Sequence, residues 1–538
     1  MLTAILDVLA IAERRAARHT ALLNETLAIF TLALAMRLAL APYATLASAD
    51  TASRIWSGWL WLEHPHLITE GVWGPLHYYL NGVTLFFWRD PVWAPLLVHV
   101  VLGAMLPVVV YRLTLEMFGN ARAALVTGFA FAVYPAAIQI SLNALSEGPF
   151  LLCLGLGLLG LIRAQRTEGR MADAALAGVA IGLSTMLRYE SWMMLPFLGL
   201  VLVHQPRRCA VFLALALVHP LFWMAGNGMA HGDPLYGFTW ASNWERQVHG
   251  RAERVTLAWS AAQVWDLIRT LARGMTPPLV LLVAFGVGYC LRYRRAVAVW
   301  LLPPLGLFLL LVFAAWRGSL AVNLRYTATF GLMLVPFAGG FLEAIGIERW
   351  SRRRFVAAVA VLVGAISVFM IEPLWRALPG GVRLLVQPVP HFESEPDARR
   401  ILALVELARK ADHGPLVADT LGWAATYFVA LHTKLPPRQL CLAPGAGLPM
   451  DPVLLETFLR SHDKGVLVTV DAGSMTKLFT FGPDGEAAIG DTHLRLDSVG
   501  EVQSEVARSD APPGTKITVA RYSVIASPGP LPPLPQGC

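Results

Sequence analysis

The chain has 538 residues, of which 56% are hydrophobic and 15% charged, whereas soluble domains carry roughly 25% charged residues. Together with a mean hydropathy of +0.55, this excludes an ordinary soluble protein and defines a polytopic α-helical membrane protein. The formal net charge of +7 does not imply a nucleic-acid partner, because the arginines fall in short clusters between apolar runs, where orientation signals lie.

In chain order, residues 1–20 come first. Their apolar stretch, Leu2 to Ile11, precedes Arg14, Arg15 and Arg18. A cleavable signal has the reverse order, so this segment predicts a cytoplasmic amphipathic helix lying on the membrane. Residues 21–372 hold eleven candidate transmembrane helices, near 27–47, 92–111, 123–140, 148–162, 171–187, 191–204, 209–226, 277–291, 296–315, 327–347 and 355–372. The stretches 148–162 and 191–204 are short against the roughly 20 residues a crossing needs. Alternate loops carry Arg112 and Arg122, then Arg163, Arg166 and Arg170, then Arg207 and Arg208, then Arg292, Arg294 and Arg295, then Arg349 and Arg352 to Arg354. All fall on the side of Arg14 to Arg18, which the positive-inside rule makes cytoplasmic, and an odd number of spans sends the C-terminus outside.

Residues 373–526 are more charged and read as a small extracytoplasmic α/β domain. Asp397 to Lys410 places Ile401, Leu404, Val405 and Ala408 at helical spacing. Pro415 to Asp419 and Gly465 to Val470 read as buried strands flanking a helical Leu421 to Leu431, and Lys516 to Ile525 as a last strand. Residues 527–538 form a proline-rich tail. Of the five cysteines, only Cys441 and Cys538 fall outside, where a disulfide is chemically permitted. No Walker, dinucleotide, zinc-ligand or nucleophile-elbow pattern is present. Nor is there a clear internal repeat of the kind on which secondary transporters are built.

The polar residues that this count places at the outer face share a chemistry. Asp50 follows the first span, Glu147 sits in Leu145-Ser146-Glu147, Arg188 opens Arg188-Tyr189-Glu190, and Arg325-Tyr326 leads into the tenth span. A carboxylate in such a place can take a proton from an acceptor hydroxyl, and an arginine can hold a phosphate while charge builds on it as a leaving group. Together they suit transfer from a phosphate-linked donor. Each residue also has a plainer role: Asp50 as a helix cap, Glu147 as an acid favoured at a helix start, Arg188 paired with Glu190, Arg325 as an interfacial anchor and His77 as a packed ring. The tryptophans from Trp56 to Trp73 read as membrane-interface residues whose faces also suit sugars. Between Asn227 and Gly274, Trp259, Val264, Trp265, Ile268 and Leu271 recur at helical spacing, which predicts an amphipathic helix on the membrane.

At these residues the chain resembles the C-type (GT-C) glycosyltransferase superfamily, multi-spanning enzymes that use polyprenyl-phosphate sugars and include the aminoarabinose transferases and protein O-mannosyltransferases. The resemblance covers about 50 to 350. It runs through Asp50, Gly74 to Tyr79, Phe118-Gly119, Tyr134-Pro135, Leu145 to Glu147, Arg188 to Glu190, Gly232 to Leu235 and Arg325-Tyr326. It implies an inverting glycosyltransferase whose 21–372 domain moves a sugar from an undecaprenyl- or dolichyl-type phosphate to a hydroxyl of a glycan, lipid or protein. The membrane it implies is a bacterial inner membrane, with the reaction at the outer face. By the same resemblance Asp50 is the general base, Glu147 orients acceptor or base, and the donor phosphate meets Arg325, Arg188, His77 and Tyr326. Many relatives carry two adjacent acids where Asp50 stands between Ala49 and Thr51. A divalent metal stays open as a cofactor, and no other cofactor is implied. The alternatives are a transporter or flippase for a lipid-linked sugar, an oligosaccharide ligase, and a non-catalytic envelope-assembly protein. A transporter would place its ionisable residues near the bilayer midplane.

Overall fold

Residues Leu2–Leu40 form one uninterrupted helix, α1, because the segment contains neither glycine nor proline and ends just before Pro42. The surface helix and the first span expected from the sequence are therefore continuous, and the apolar part is Leu22–Leu40. The computed structural model describes residues 2–43, 49–248, 256–320, 322–323, 325–370, 396–411, 414–419, 423–443, 450–471, 473–504 and 514–527. The proline-rich tail after residue 527 lies outside them. The chain continues through α2 (Ala49–Glu63), α3 (Leu76–Phe87), α4 (Trp93–Phe118), α5 (Ala121–Ala132), α6 (Pro135–Leu142), α7 (Glu147–Gln165), α8 (Met171–Thr185) and α9 (Tyr189–Val201).

By length and composition, six described helices can cross a membrane: Leu22–Leu40, Trp93–Phe118, Glu147–Gln165, Pro206–His231, Arg295–Trp316 and Tyr326–Ala344. Two bent pairs, Ala121–Ala132 with Pro135–Leu142 and Leu257–Gly274 with Pro277–Tyr293, raise the number to eight. The first pair bends by 50° at Tyr134-Pro135, since proline disfavours helix in the residue before it. Of the eleven stretches expected, the three that do not reach spanning length are α8, α9 and Arg352–Ser367, with 15, 13 and 16 residues. At about 1.5 Å per residue each falls short of a hydrocarbon core of about 30 Å. The molecule is thus a polytopic helical membrane protein with six to eight clear spans and a C-terminal α/β domain.

Contacts divide the chain into two compact units, one of Met1–Pro42, Ile68–Leu76 and Val98–His391, the other of Tyr43–Leu67, His77–Leu97 and Phe392–Cys538. The first is the helical body. Its core joins Leu106, Phe131, Phe150, Leu154, Ile181, Leu198, Leu332 and Phe337. Helix α7 and the Tyr326–Ala344 span are the most buried of the candidate spans, each with 78% of its apolar window buried. Close approach there relies on small residues, as in other membrane bundles: a Cβ on Gly157 would stand 2.5 Å from Ile181, and one on Gly160 would stand 3.0 Å from Ala177.

The second unit carries a seven-stranded sheet in the order β2-β1-β3-β7-β6-β5-β4, built from β1 (Leu416–Ala418), β2 (Leu440–Leu442), β3 (Lys464–Val470), β4 (Thr480–Phe481), β5 (Glu486–Ile489), β6 (Thr492–Gln503) and β7 (Lys516–Ala526). Strand β1 pairs in parallel with β2 and β3, and the remaining pairs are antiparallel. All three residues of β1 and of β2 are buried, as parallel strands covered on both faces require. Cys441 on β2 is disulfide-bonded, and Cys538 lies outside the described residues.

Two elements of the predicted outer loop belong to this second unit. Helix α2 lays Trp56 and Leu60 against Ile401, Val405, Phe428 and Val429, from the helices Pro396–Ala411 and Trp423–His432. Against α3 it packs at Gly58, where a Cβ would meet Asn81 Cβ and Tyr78 O at 2.8 Å. Lys434 Nζ lies 2.6 Å from Asp90 Oδ2, and that bond holds the Asp90 carboxyl below its usual range against the opposing effect of burial. Trp56, read from the sequence as an interface residue, is 6% exposed and part of a core. Trp56→Ala is expected to destabilise this unit by about 3–5 kcal/mol, the usual loss for a buried aromatic. The check is its thermal unfolding beside Trp88→Ala, an exposed control, and equal midpoints would return Trp56 to the surface.

Candidate active site

Three separate parts of the helical body bring their charges to one place. Glu147 is the first residue of α7, where the helix dipole favours an acid. It is aimed there by a tight reversal after α6: Leu145 N donates to Ile140 O and Ala144 N to Ser141 O, a Schellman closure of the helix. The left-handed position of that motif is filled by Ala144, at φ 47°. A non-glycine residue there stores about 1–2 kcal/mol of strain, and it lies three residues from the acid it directs.

Arg188 caps the start of α9 in extended conformation. The turn that carries it is braced by the hydroxyl pair of Ser184 and Ser191 and by Trp192 Nε1, which donates to Thr185 O at 2.9 Å. Arg188 Nη1 donates to Glu147 Oε1 at 2.6 Å, while Nε and Nη2 donate to Glu190 Oε1 at 2.9 and 2.5 Å. Arg325, just before the span that begins at Tyr326, places Nε 3.4 Å from Glu147 Oε1. The four side chains form a neutral set, two guanidiniums and two carboxylates. Side-chain exposure is 2% for Glu147, 9% for Arg188 and Glu190, and 18% for Arg325. Burial alone would lower the affinity of Arg188 for its proton, but Glu147 and Glu190 outweigh that and raise it, so Arg188 is a fixed cation. Tyr326 lies within electrostatic reach of all four charges.

A loop is fastened over the same turn. Leu76 N donates to Met186 O at 3.2 Å and Tyr189 OH to Val72 O at 2.7 Å. Gly74 comes so close that a Cβ would stand 2.2 Å from Met186 O, which accounts for glycine in Gly74-Pro75.

In the second unit, Asp50 occupies the first turn of α2 and is partly buried. Arg54 follows one turn later on the same face and is 6% exposed. Both act on the phenol of Tyr78, which burial pushes up most, with Arg54 opposing and Asp50 reinforcing the shift. His77 is buried at the start of α3, and Asn81 follows one turn on.

Of the six residues singled out from the sequence, Glu147, Arg188, Arg325 and Tyr326 thus converge in the helical body, while Asp50 and His77 lie in the other unit. Glu190 and Arg54 were not singled out. Their signals were present: three polar side chains in Arg188-Tyr189-Glu190, and Asp50 with Arg54 at a four-residue helical spacing. Among the described residues no three His, Cys, Asp or Glu side chains gather as a metal site. Glu147 and Glu190 face guanidiniums rather than each other, so this donor set does not fit a divalent ion, and no step below runs through one.

The comparisons agree with this architecture. The family model of the dolichyl-phosphate-mannose-protein mannosyltransferases matches residues 72–224, a stretch that holds Glu147, Arg188 and Glu190 and leaves out Asp50 and Arg325. The crystal structure of ArnT from Cupriavidus metallidurans bound to undecaprenyl phosphate aligns with a TM-score of 0.57 and 12% identity, over 94% of this chain and 98% of that one. Its apo state gives 0.54 and 13% over the same shares. A comparison with curated proteins gave no match. The chain therefore shares the fold of that ArnT.

Removing one member of a buried, paired set strands the others. Arg188→Ala, which removes the guanidinium shared by Glu147 and Glu190, is expected to cost about 3–5 kcal/mol. Arg188→Lys should recover only part, since a single ammonium cannot reproduce the planar fork. Detergent-solubilised protein followed by thermal unfolding measures this, and an unchanged midpoint in Arg188→Ala would show that the set carries no structural role.

Proposed function

We propose that this protein is an inverting glycosyltransferase that moves a sugar from a polyprenyl-phosphate donor to an acceptor hydroxyl at the outer face of a membrane. The single observation that carries the reading is the buried neutral set around Glu147, on a fold shared with an enzyme crystallised with undecaprenyl phosphate. Its charges sit at helix ends, at the first residue of α7, the cap of α9 and the start of the Tyr326 span. A membrane-face reaction needs them there, whereas a transporter uses the bilayer midplane.

In the proposed reaction Asp50 accepts the proton of the acceptor hydroxyl as its oxygen attacks the anomeric carbon from the face opposite the phosphate. The bond from that carbon to the phosphate oxygen breaks, its electron pair stays on the phosphate, and the products are the inverted glycoside and polyprenyl phosphate. Arg325, the most exposed member of the set, meets the phosphate. Arg188 is the less mobile cation behind it, and Glu147 positions both guanidiniums. His77 and Tyr326 complete the donor's surroundings. The acceptor is a hydroxyl of a glycan, lipid or protein.

The proposed setting is a bacterial inner membrane with eleven crossings, which places the α/β domain outside the cytoplasm. The right-angled bend of 100° between Leu257–Gly274 and Pro277–Tyr293 supports the first of these helices lying along the surface while the second crosses. Trp265 and Ile268 remain exposed on it, as an interfacial helix requires. A tag placed after Ser527 should be reachable only from outside, and cytoplasmic labelling would overturn the crossing number.

The chemical test is Asp50→Asn. Asparagine keeps the size and the capping ability of the residue but cannot accept a proton. Transfer by purified protein from an undecaprenyl-phosphate sugar is expected to fall by about 10²–10⁴, with the thermal midpoint unchanged. Near-normal turnover in this variant would remove Asp50 as the base.

A further inference from the structure

An apolar groove of about 650 Å³ lies between α1, α4 and α7 of the helical body, within the range of roughly 300–1,000 Å³ typical of ligand sites. Its walls are hydrocarbon. Leu23, Met105 and Leu156 on them are 60%, 40% and 45% exposed, and these helices pass the length and composition test for spans, so the groove is lined for contact with acyl chains.

One end differs. There the lining includes Arg112 and Arg163, near the C-terminal ends of α4 and α7. On α7, Arg163 is sixteen residues beyond Glu147, or about 24 Å along the axis. The basic end is therefore at the opposite end of the body from the charge set described above. Arg163 and Arg166 share Glu116, at 2.8 and 2.5 Å, and Glu25 accepts from Tyr111 OH at 2.6 Å. Among the described residues no carboxylate is bonded to Arg112. Among the described side chains Arg112, Arg163 and Arg166 stand against Glu116 and Glu25, so this end of the hydrocarbon groove is net positive.

We propose that this groove is a binding site for one anionic phospholipid, with an acyl chain along Phe30, Met105 and Leu156 and its phosphate on Arg112. The chemistry selects the class. A zwitterionic head group offers the residual charge an ammonium as well as a phosphate, whereas an anionic one offers the phosphate alone, and basic pockets at the ends of spans recognise such lipids. On the topology proposed above the lipid belongs to the cytoplasmic leaflet. The site is distinct from that of the polyprenyl donor, whose phosphate is assigned to the other end of the bundle.

The test uses the full chain, delipidated in detergent and titrated with phosphatidylglycerol or phosphatidylethanolamine of identical acyl chains, with bound lipid counted by native mass spectrometry. One phosphatidylglycerol per chain should be retained with about a fivefold preference, the effect of one basic side chain at a membrane surface. Arg112→Gln should abolish the preference and Arg112→Lys keep it. Leu156→Trp, at an exposed position where folding tolerates bulk, should reduce retention of both lipids by filling the groove. Equal retention of the two lipids by the unaltered chain, an undiminished preference in Arg112→Gln, or undiminished binding in Leu156→Trp would each overturn the proposal. So would displacement of the phosphatidylglycerol by undecaprenyl phosphate, which would make the groove part of the donor site. Sugar transfer does not enter the readout, so failure of the catalytic reading and failure of this one are separable.

Discussion

The contact on which the helical body depends is the fork of Arg188 held between Glu147 and Glu190. Each of these charges is expensive to remove from water, and Arg188 is tolerated there because its Nε, Nη1 and Nη2 each donate to a carboxylate. Geometry follows from that requirement. The start of α7, the cap of α9 and the segment before the Tyr326 span must come to one point, and three helices are thereby registered against each other at one end.

The supports of this contact are spread over the neighbouring backbone. Glycine on α7 lets α8 approach until side chains interlock, which sets where the turn after α8 emerges. Ala144 accepts a left-handed conformation so that Glu147 opens its helix at the right place. The loop Val72–Leu76 then bonds to Met186 and Tyr189, so a catalytic rearrangement of that loop would have to break backbone hydrogen bonds beside Arg188. Burial grades the charges: the side chains of Glu147 and Arg188 are 2% and 9% exposed, and that of Arg325 is 18% exposed.

In the second unit the chemistry is arranged around α2. Trp56 anchors that helix in the core of the α/β domain, and its first turn presents Asp50 beside Arg54 and Tyr78. Arg54 is buried one helical turn from Asp50, and the buried Trp56 ties the same helix to the domain core.

Composition alone determined the membrane class, because a chain this apolar and this poor in charge has no soluble solution. Periodicity likewise determined the main helices, and short apolar runs marked the strands at 416–418 and 464–470, which are buried along nearly their whole length. The site was legible in part. Glu147, Arg188 and Arg325 stood out as charges at the ends of apolar runs, but nothing in the sequence shows that one carboxylate serves two arginines 41 and 178 residues away. The pairing of Arg188 with Glu190 was legible as a local possibility, whereas Arg54 was overlooked because a charge near a chain turn usually meets water, and only packing shows that this one does not. The tertiary structure also decided which short apolar stretches reach spanning length, and that Trp56 packs inside a protein core. Hydropathy measures the transfer of a residue into an apolar medium, and it has the same value whether that medium is lipid or the interior of the protein itself.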